Sequence, residues 1–108
     1  MSVTAAFSVT PLGGTAVGDD GSVGPAVAEV VRLVRQSGLP NETNAMFTNV
    51  EGELDEVLGL LGRVVERCAE LAPRVSVVVK LDVRPGRSGA LRGKVATVDR
   101  LLGEGDPT

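Results

Sequence analysis

The junction between residues 54 and 83 constrains this chain more than any other stretch. Leu54, Val57, Leu58, Leu61, Val64, Val65, Cys68 and Leu71 recur at helical spacing without interruption, and Pro73 ends the pattern. "VSVVVKLDV" then alternates, with Val75, Val77, Val79, Leu81 and Val83 on one side and Ser76, Val78, Lys80 and Asp82 on the other. A helix with one apolar stripe therefore runs straight into a strand with one apolar face. Such a pair is stable when the helix lies on a sheet.

The same grammar governs the first half. In "VTAAFSV", Val3, Ala5, Phe7 and Val9 alternate with Thr4, Ala6 and Ser8, which predicts a strand stopped at Pro11-Leu12-Gly13-Gly14. A Gly-rich loop to Gly21 follows. Val23, Val27, Val30, Val31 and Val34 then predict a helix with Ser22 as N-cap, Pro25 in the first turn and Gly38 as the stop. Valine is a mediocre helix former, so this helix must be held by burial against a sheet. Asn41 to Val50 read either as one long bent strand or as two short ones in a hairpin. After Pro85-Gly86, Leu91, Val95, Val98 and Leu102 mark a short C-terminal helix capped near Ser88, and residues 103–108 form a disordered tail.

The order β-α-β-(β)-α-β-α predicts one α+β domain over residues 1–102: a ferredoxin-like βαββαβ sandwich with an extra short C-terminal helix. Both helices then cover one face of the sheet. The other face, with Thr4, Ala6, Ser8, Thr10, Ser76, Val78, Lys80 and Asp82, is small-sided and half apolar. A face of that kind on a small domain favours a homo-oligomer, a dimer or tetramer joined through sheet faces.

Composition removes whole classes of function. The 108 residues contain no His and a single cysteine, Cys68, so Ser-His and Cys-His catalysis is excluded and zinc or haem has almost no ligands. No apolar run approaches the roughly 20 residues of a membrane span, and no signal-peptide pattern opens the chain, so a cytoplasmic protein is expected. A net charge of −3, with no aromatic residue in the basic stretches, argues against nucleic acid. Charge is unevenly placed: residues 41–72 carry seven acids against two bases, and residues 73–108 carry seven bases against four acids. Either a solvated surface or complementary faces across a fold or subunit contact accounts for that asymmetry.

"VTAAFSVTPLG", "NAMFTNVEGELDEV", and "VVVKLDVR" followed shortly by "ALRGKVATV" resemble, in this order and spacing, the small thiamine-binding protein family. The resemblance spans roughly residues 3–102. It implies a stand-alone ferredoxin-like domain that assembles into dimers and tetramers and binds thiamine or its hydroxymethylpyrimidine portion without catalysis. It also implies a ligand among polar residues of the sheet: Ser8 and Thr10 in the first strand, Asn44, Met46 and Thr48 in the central segment, Glu51 just beyond, and Lys80 in the last strand. Two positions depart from the family pattern. Phe47 replaces a small residue, which either narrows the pocket or supplies a stacking face, and Val83 replaces a second acidic residue.

The residues themselves fit such a ligand. An aminopyrimidine is flat, with an exocyclic amine donor and ring nitrogen acceptors, and needs an apolar slot with a few fixed polar partners. Asn44, Met46, Phe47 and Thr48 supply that kit, although Thr and Met also serve ordinary strand and packing roles. Among the carboxylates, Glu53, Asp55 and Glu56 fall in the first turn of the second helix, where they favour its start. Glu51 precedes Gly52 at the expected strand end and is the best candidate for a polar contact with a ligand amine or thiazolium. The acid spacing fits no calcium loop, and neither a metal nor a further cofactor is expected. "PLGGTAVGDDGSVG" lacks any phosphate-loop motif and reads as a connector. Cys68 falls on the core stripe; Arg84, Arg87, Arg92 and Lys94 either attract a phosphate or are solvated. An interaction module using the open sheet face is the alternative function.

Overall fold

The structure is a computed structural model, and it describes residues 1–13 and 24–86 together with 98, 101 and 102. The elements are β1 (Ser2–Leu12), α1 (Gly24–Gln36), β2 (Asn41–Thr43), β3 (Thr48–Glu53), α2 (Leu54–Leu71) and β4 (Arg74–Arg84). The four strands form one sheet in the order β2-β3-β1-β4, with every neighbouring pair antiparallel. This is the small α+β, ferredoxin-like arrangement expected from the alternation of periods. Val98, Leu101 and Leu102 have helical backbone and are exposed. The rest of the expected C-terminal helix, the tail and the Gly-rich connector lie outside the described residues.

The central segment resolves as two short strands joined by a turn at 44–47. Three boundaries differ from the sequence expectation. β1 continues through Pro11 to Leu12 rather than stopping at the proline. β3 continues through Glu51 and Gly52 to Glu53, so Glu51 lies within the strand. Glu53 is accordingly the N-cap of α2 rather than a first-turn residue: its N–H donates to Glu56 Oε1 at 3.1 Å, and its carboxylate receives the Met1 amino group at 2.6 Å. Asp55 and Glu56 do occupy the first turn, as the dipole argument expects. At the other end of α1, Gly38 carries a φ of 77°, the left-handed conformation of a helix stop.

The core lies between the helices and one sheet face. Val3, Ala5 and Phe7 from β1 and Val50 from β3 meet Val30 and Val34 of α1 and Val57, Leu60, Val64 and Cys68 of α2. In α2 the buried line runs 57-60-64-68, so Leu60 points inward while Leu58, read as part of the stripe, is exposed. Two apolar lines lie side by side on this helix, and periodicity alone does not choose between them. In α1, Ala26, Val30 and Val34 are buried and Val27 is exposed. Glu29 links the two helices, receiving Arg32 at 2.6 Å and Arg67 at 3.5 Å. These guanidinium groups, Arg32 first, hold the Glu29 carboxyl below its ordinary pKa despite partial desolvation. Burial pushes the Cys68 thiol up, against a weaker opposing pull from Arg67.

Candidate functional site: a cleft at the open edge of β1

β1 has two partners of unequal length. Its ladder with β4 runs from Ser2↔Arg84 to Leu12↔Arg74, whereas its ladder with β3 ends at Phe7↔Thr48. Past Phe7, therefore, no strand among the described residues runs along the β3 side of β1. The polarity of that edge follows from the register. The Glu51 N–H donates to the Pro40 carbonyl at 2.9 Å, so Glu51 turns its backbone groups toward β2, and Val50 and Gly52 turn theirs toward β1. Their partners Ala5 and Val3, and by alternation Phe7, Val9 and Pro11, face β3. Val9 consequently presents its N–H and C=O to the open edge. Pro11, the next residue facing that way, has no N–H to leave unpaired, which is why a proline is accommodated inside the strand.

A cleft of about 180 Å³ occupies this edge. Val27 and Val30 of α1 form one wall, the 44–47 turn forms the other, and β1 from Phe7 to Thr10 forms the back. The turn is built by Asn44, whose Oδ1 accepts from both Met46 N and Phe47 N at 2.9 Å. Its backbone N–H also donates to the Phe47 carbonyl at 3.0 Å. The oxygen of the Asn44 amide is thus committed to the turn, and its NH₂ is the end that can serve a ligand. Thr43 and Thr48 hydroxyls lie 3.3 Å apart beside it.

Six of the eight sequence-predicted residues border this cleft: Ser8, Thr10, Asn44, Met46, Phe47 and Thr48. Glu51 and Lys80 do not. By strand alternation both lie on the sheet face turned away from the helices, Glu51 opposite Thr4 and Lys80 opposite Ala6. Glu51 is buried there, within 3.5 Å of the Ser2 hydroxyl, and next to it the Thr4 hydroxyl is buried without a partner. The sequence reading missed Val9, whose backbone rather than its side chain faces the cleft, and the α1 wall. The one available signal was Pro11 in an otherwise well-formed strand.

Among the described residues, no charged side chain lines the cleft. The lining that the described residues supply is one of neutral donors and acceptors between apolar walls. Among the described residues no group of three or more acids and cysteines is placed to hold a metal ion, and no helix is long and apolar enough to cross a membrane. Of the basic residues named as phosphate candidates, Arg84 lies at the end of β4 near Asp82, while Arg87, Arg92 and Lys94 lie outside the described residues.

The fold is a small α+β, ferredoxin-like one, with a cleft at the edge of β1. The chain belongs to the thiamine-binding protein family, whose model matches residues 5–99. It is 55% identical over 103 residues to UPF0045 protein Mb1933 of Mycobacterium bovis, covering 94% of this chain and 96% of that protein. Among solved structures, protein MJ1052 of Methanocaldococcus jannaschii superposes with a TM-score of 0.78 at 30% identity, covering 91% of this chain and 96% of the other. A domain of unknown function, DUF77, from Bacillus cereus gives a TM-score of 0.68 at 33% identity, over 81% of this chain and 80% of that one.

Proposed function

We propose that this protein is a non-enzymatic, cytoplasmic binder of thiamine or its hydroxymethylpyrimidine portion, and that the aminopyrimidine ring enters the cleft at the edge of β1. The observation that carries the reading is convergence: six residues picked from separate segments of the sequence border one cleft. Size supports it as well. A dry cavity of about 150 Å³ accepts benzene, and the cleft, at about 180 Å³, has room for one such ring. The N–H and C=O of one extended residue sit side by side on a strand edge. Val9 thus offers a donor and an acceptor to a ring nitrogen and its neighbouring exocyclic amine, as an adjacent strand would receive them. Met46 and Phe47 supply apolar cover and a ring face.

The protein works as a homo-oligomer in this reading, with the open sheet faces packed together. Val78, 59% exposed on that face, is the residue such a contact would cover. Calorimetric titration tests the ligand. Hydroxymethylpyrimidine and thiamine should both release binding heat, and the isolated hydroxyethylthiazole should not. Binding of the thiazole without the pyrimidine would refute the assignment.

A further inference from the structure

We infer that the cleft selects 4-aminopyrimidines against their 4-oxo counterparts and is indifferent to what the 5-methylene carries, because its backbone donor lies toward its closed end and its acceptor toward its mouth. The inference rests on the ligand reading above and adds the direction in which the ring sits. Burial gives the cleft two ends. Along β1 the lining runs from Phe7, 1% exposed, through the half-buried Ser8 and Val9 to the exposed Thr10. Along α1 it runs from Val30, 8% exposed, to Val27, 43% exposed. Thr48 is buried opposite Phe7 in the ladder. Among the described residues, then, Phe7, Val30 and Thr48 close one end, and the exposed Thr10, Val27 and Met46 rim the other. The chain runs from Phe7 toward Thr10, so the Val9 N–H lies on the closed side of its own C=O. The strand edge offers a donor deep and an acceptor shallow.

A 4-aminopyrimidine meets that pair in one orientation: N3 accepts from the Val9 N–H, and the 4-amino group donates to the Val9 C=O. N3 is bonded to C2, and the carbon bearing the amine is bonded to C5. The 2-methyl group therefore points to the closed end, against apolar side chains, and the 5-methylene points to the mouth. A hydroxyl, an amine or a thiazolium on that methylene leaves the read edge untouched. A 4-oxopyrimidine in its N3–H form carries the opposite pair. In the same orientation it sets N–H against N–H and C=O against C=O, so that both Val9 groups go unpaired. Turned over, it recovers both bonds but directs the 5-methylene and its substituent at the end closed by Phe7, Val30 and Thr48.

Calorimetry tests the direction with hydroxymethylpyrimidine, its 5-aminomethyl analogue, its 4-oxo analogue and its 2-propyl homologue. The 5-aminomethyl compound should bind within about fivefold of the parent, because an exposed charge contributes little. The 4-oxo compound should bind roughly a hundredfold more weakly, because a site built to pair hydrogen-bonding groups rejects an analogue that leaves them unpaired. The 2-propyl homologue should lose about tenfold by overfilling the closed end. In Val9→Pro, which lacks the donor, the ratio between the 4-amino and 4-oxo compounds should shrink. Equal affinity for the 4-amino and 4-oxo compounds would overturn the inference and leave the ligand reading standing. So would tolerance of the 2-propyl group with rejection of the 5-aminomethyl one, or an unchanged ratio in folded Val9→Pro. Failure of the parent compound to bind would overturn both.

Discussion

Phe7 and Thr48 are the last partners of the β1–β3 ladder, and both border the candidate site. The Phe7 side chain closes the core while the strand it belongs to runs on with one side unpaired by any strand among the described residues. Fold and site therefore share one strand: the stretch of β1 that backs the cleft, Phe7 to Thr10, starts where the pairing with β3 ends.

The first prediction isolates the Val9 backbone. Val9→Pro removes an N–H that faces the open edge and serves no β1–β4 ladder bond, and Pro11 shows that this side of β1 tolerates proline. Far-UV circular dichroism should be retained. Affinity for hydroxymethylpyrimidine should fall by about tenfold, the worth of one hydrogen bond near 1.4 kcal/mol. Unchanged affinity in calorimetry would remove Val9 from the site.

Asn44 has two separable roles. Asn44→Asp keeps the oxygen that accepts from Met46 N and Phe47 N but loses the NH₂ donors, so it should weaken ligand binding by about 0.5–1.5 kcal/mol while preserving the turn. Asn44→Ala loses both bonds that build the turn. It should lower the melting temperature as well as the affinity, and a melt that separates the two variants checks the division.

Much of this architecture was legible because burial imposes a period. The alternation of β1 and the stripe of α2 each report one covered face, which the structure keeps with Leu60 in place of Leu58. In β4 only Val75 packs against the core, and Val79, Leu81 and Val83, expected on the apolar face, are exposed. What periodicity does not encode is which strand ends first. Nothing in the side chains of Ser8, Val9 and Thr10 announces that β3 stops at Thr48, so the edge that makes Val9 a recognition group depends on tertiary pairing. Glu51 illustrates the same point from the other direction. A carboxylate beside a glycine resembled a strand end, whereas continuation of β3 buries it on the face away from the cleft.

The α1–α2 linkage predicts an acid-side effect. Glu29 has its folded-state pKa below its unfolded value, so its contribution is present above the unfolded pKa and is lost as pH falls through the folded one. Wild type should therefore lose stability as the pH drops below about 4.5, and Glu29→Gln should flatten part of that slope. Denaturant melts at pH 7 and pH 3.5 compare the two directly. Equal pH sensitivity in both proteins would show that the Glu29–Arg32–Arg67 contact is energetically silent.

The central claim is the location of the ligand, and amide chemical-shift mapping during titration with hydroxymethylpyrimidine tests it most directly. Shifts should concentrate at Val9, at the 44–48 segment and at Val27 and Val30, with Glu51, Lys80 and Asp82 unmoved on the opposite face. Shifts confined to Glu51 and Lys80 with Val9 unchanged, or no shifts at millimolar ligand, would contradict the account.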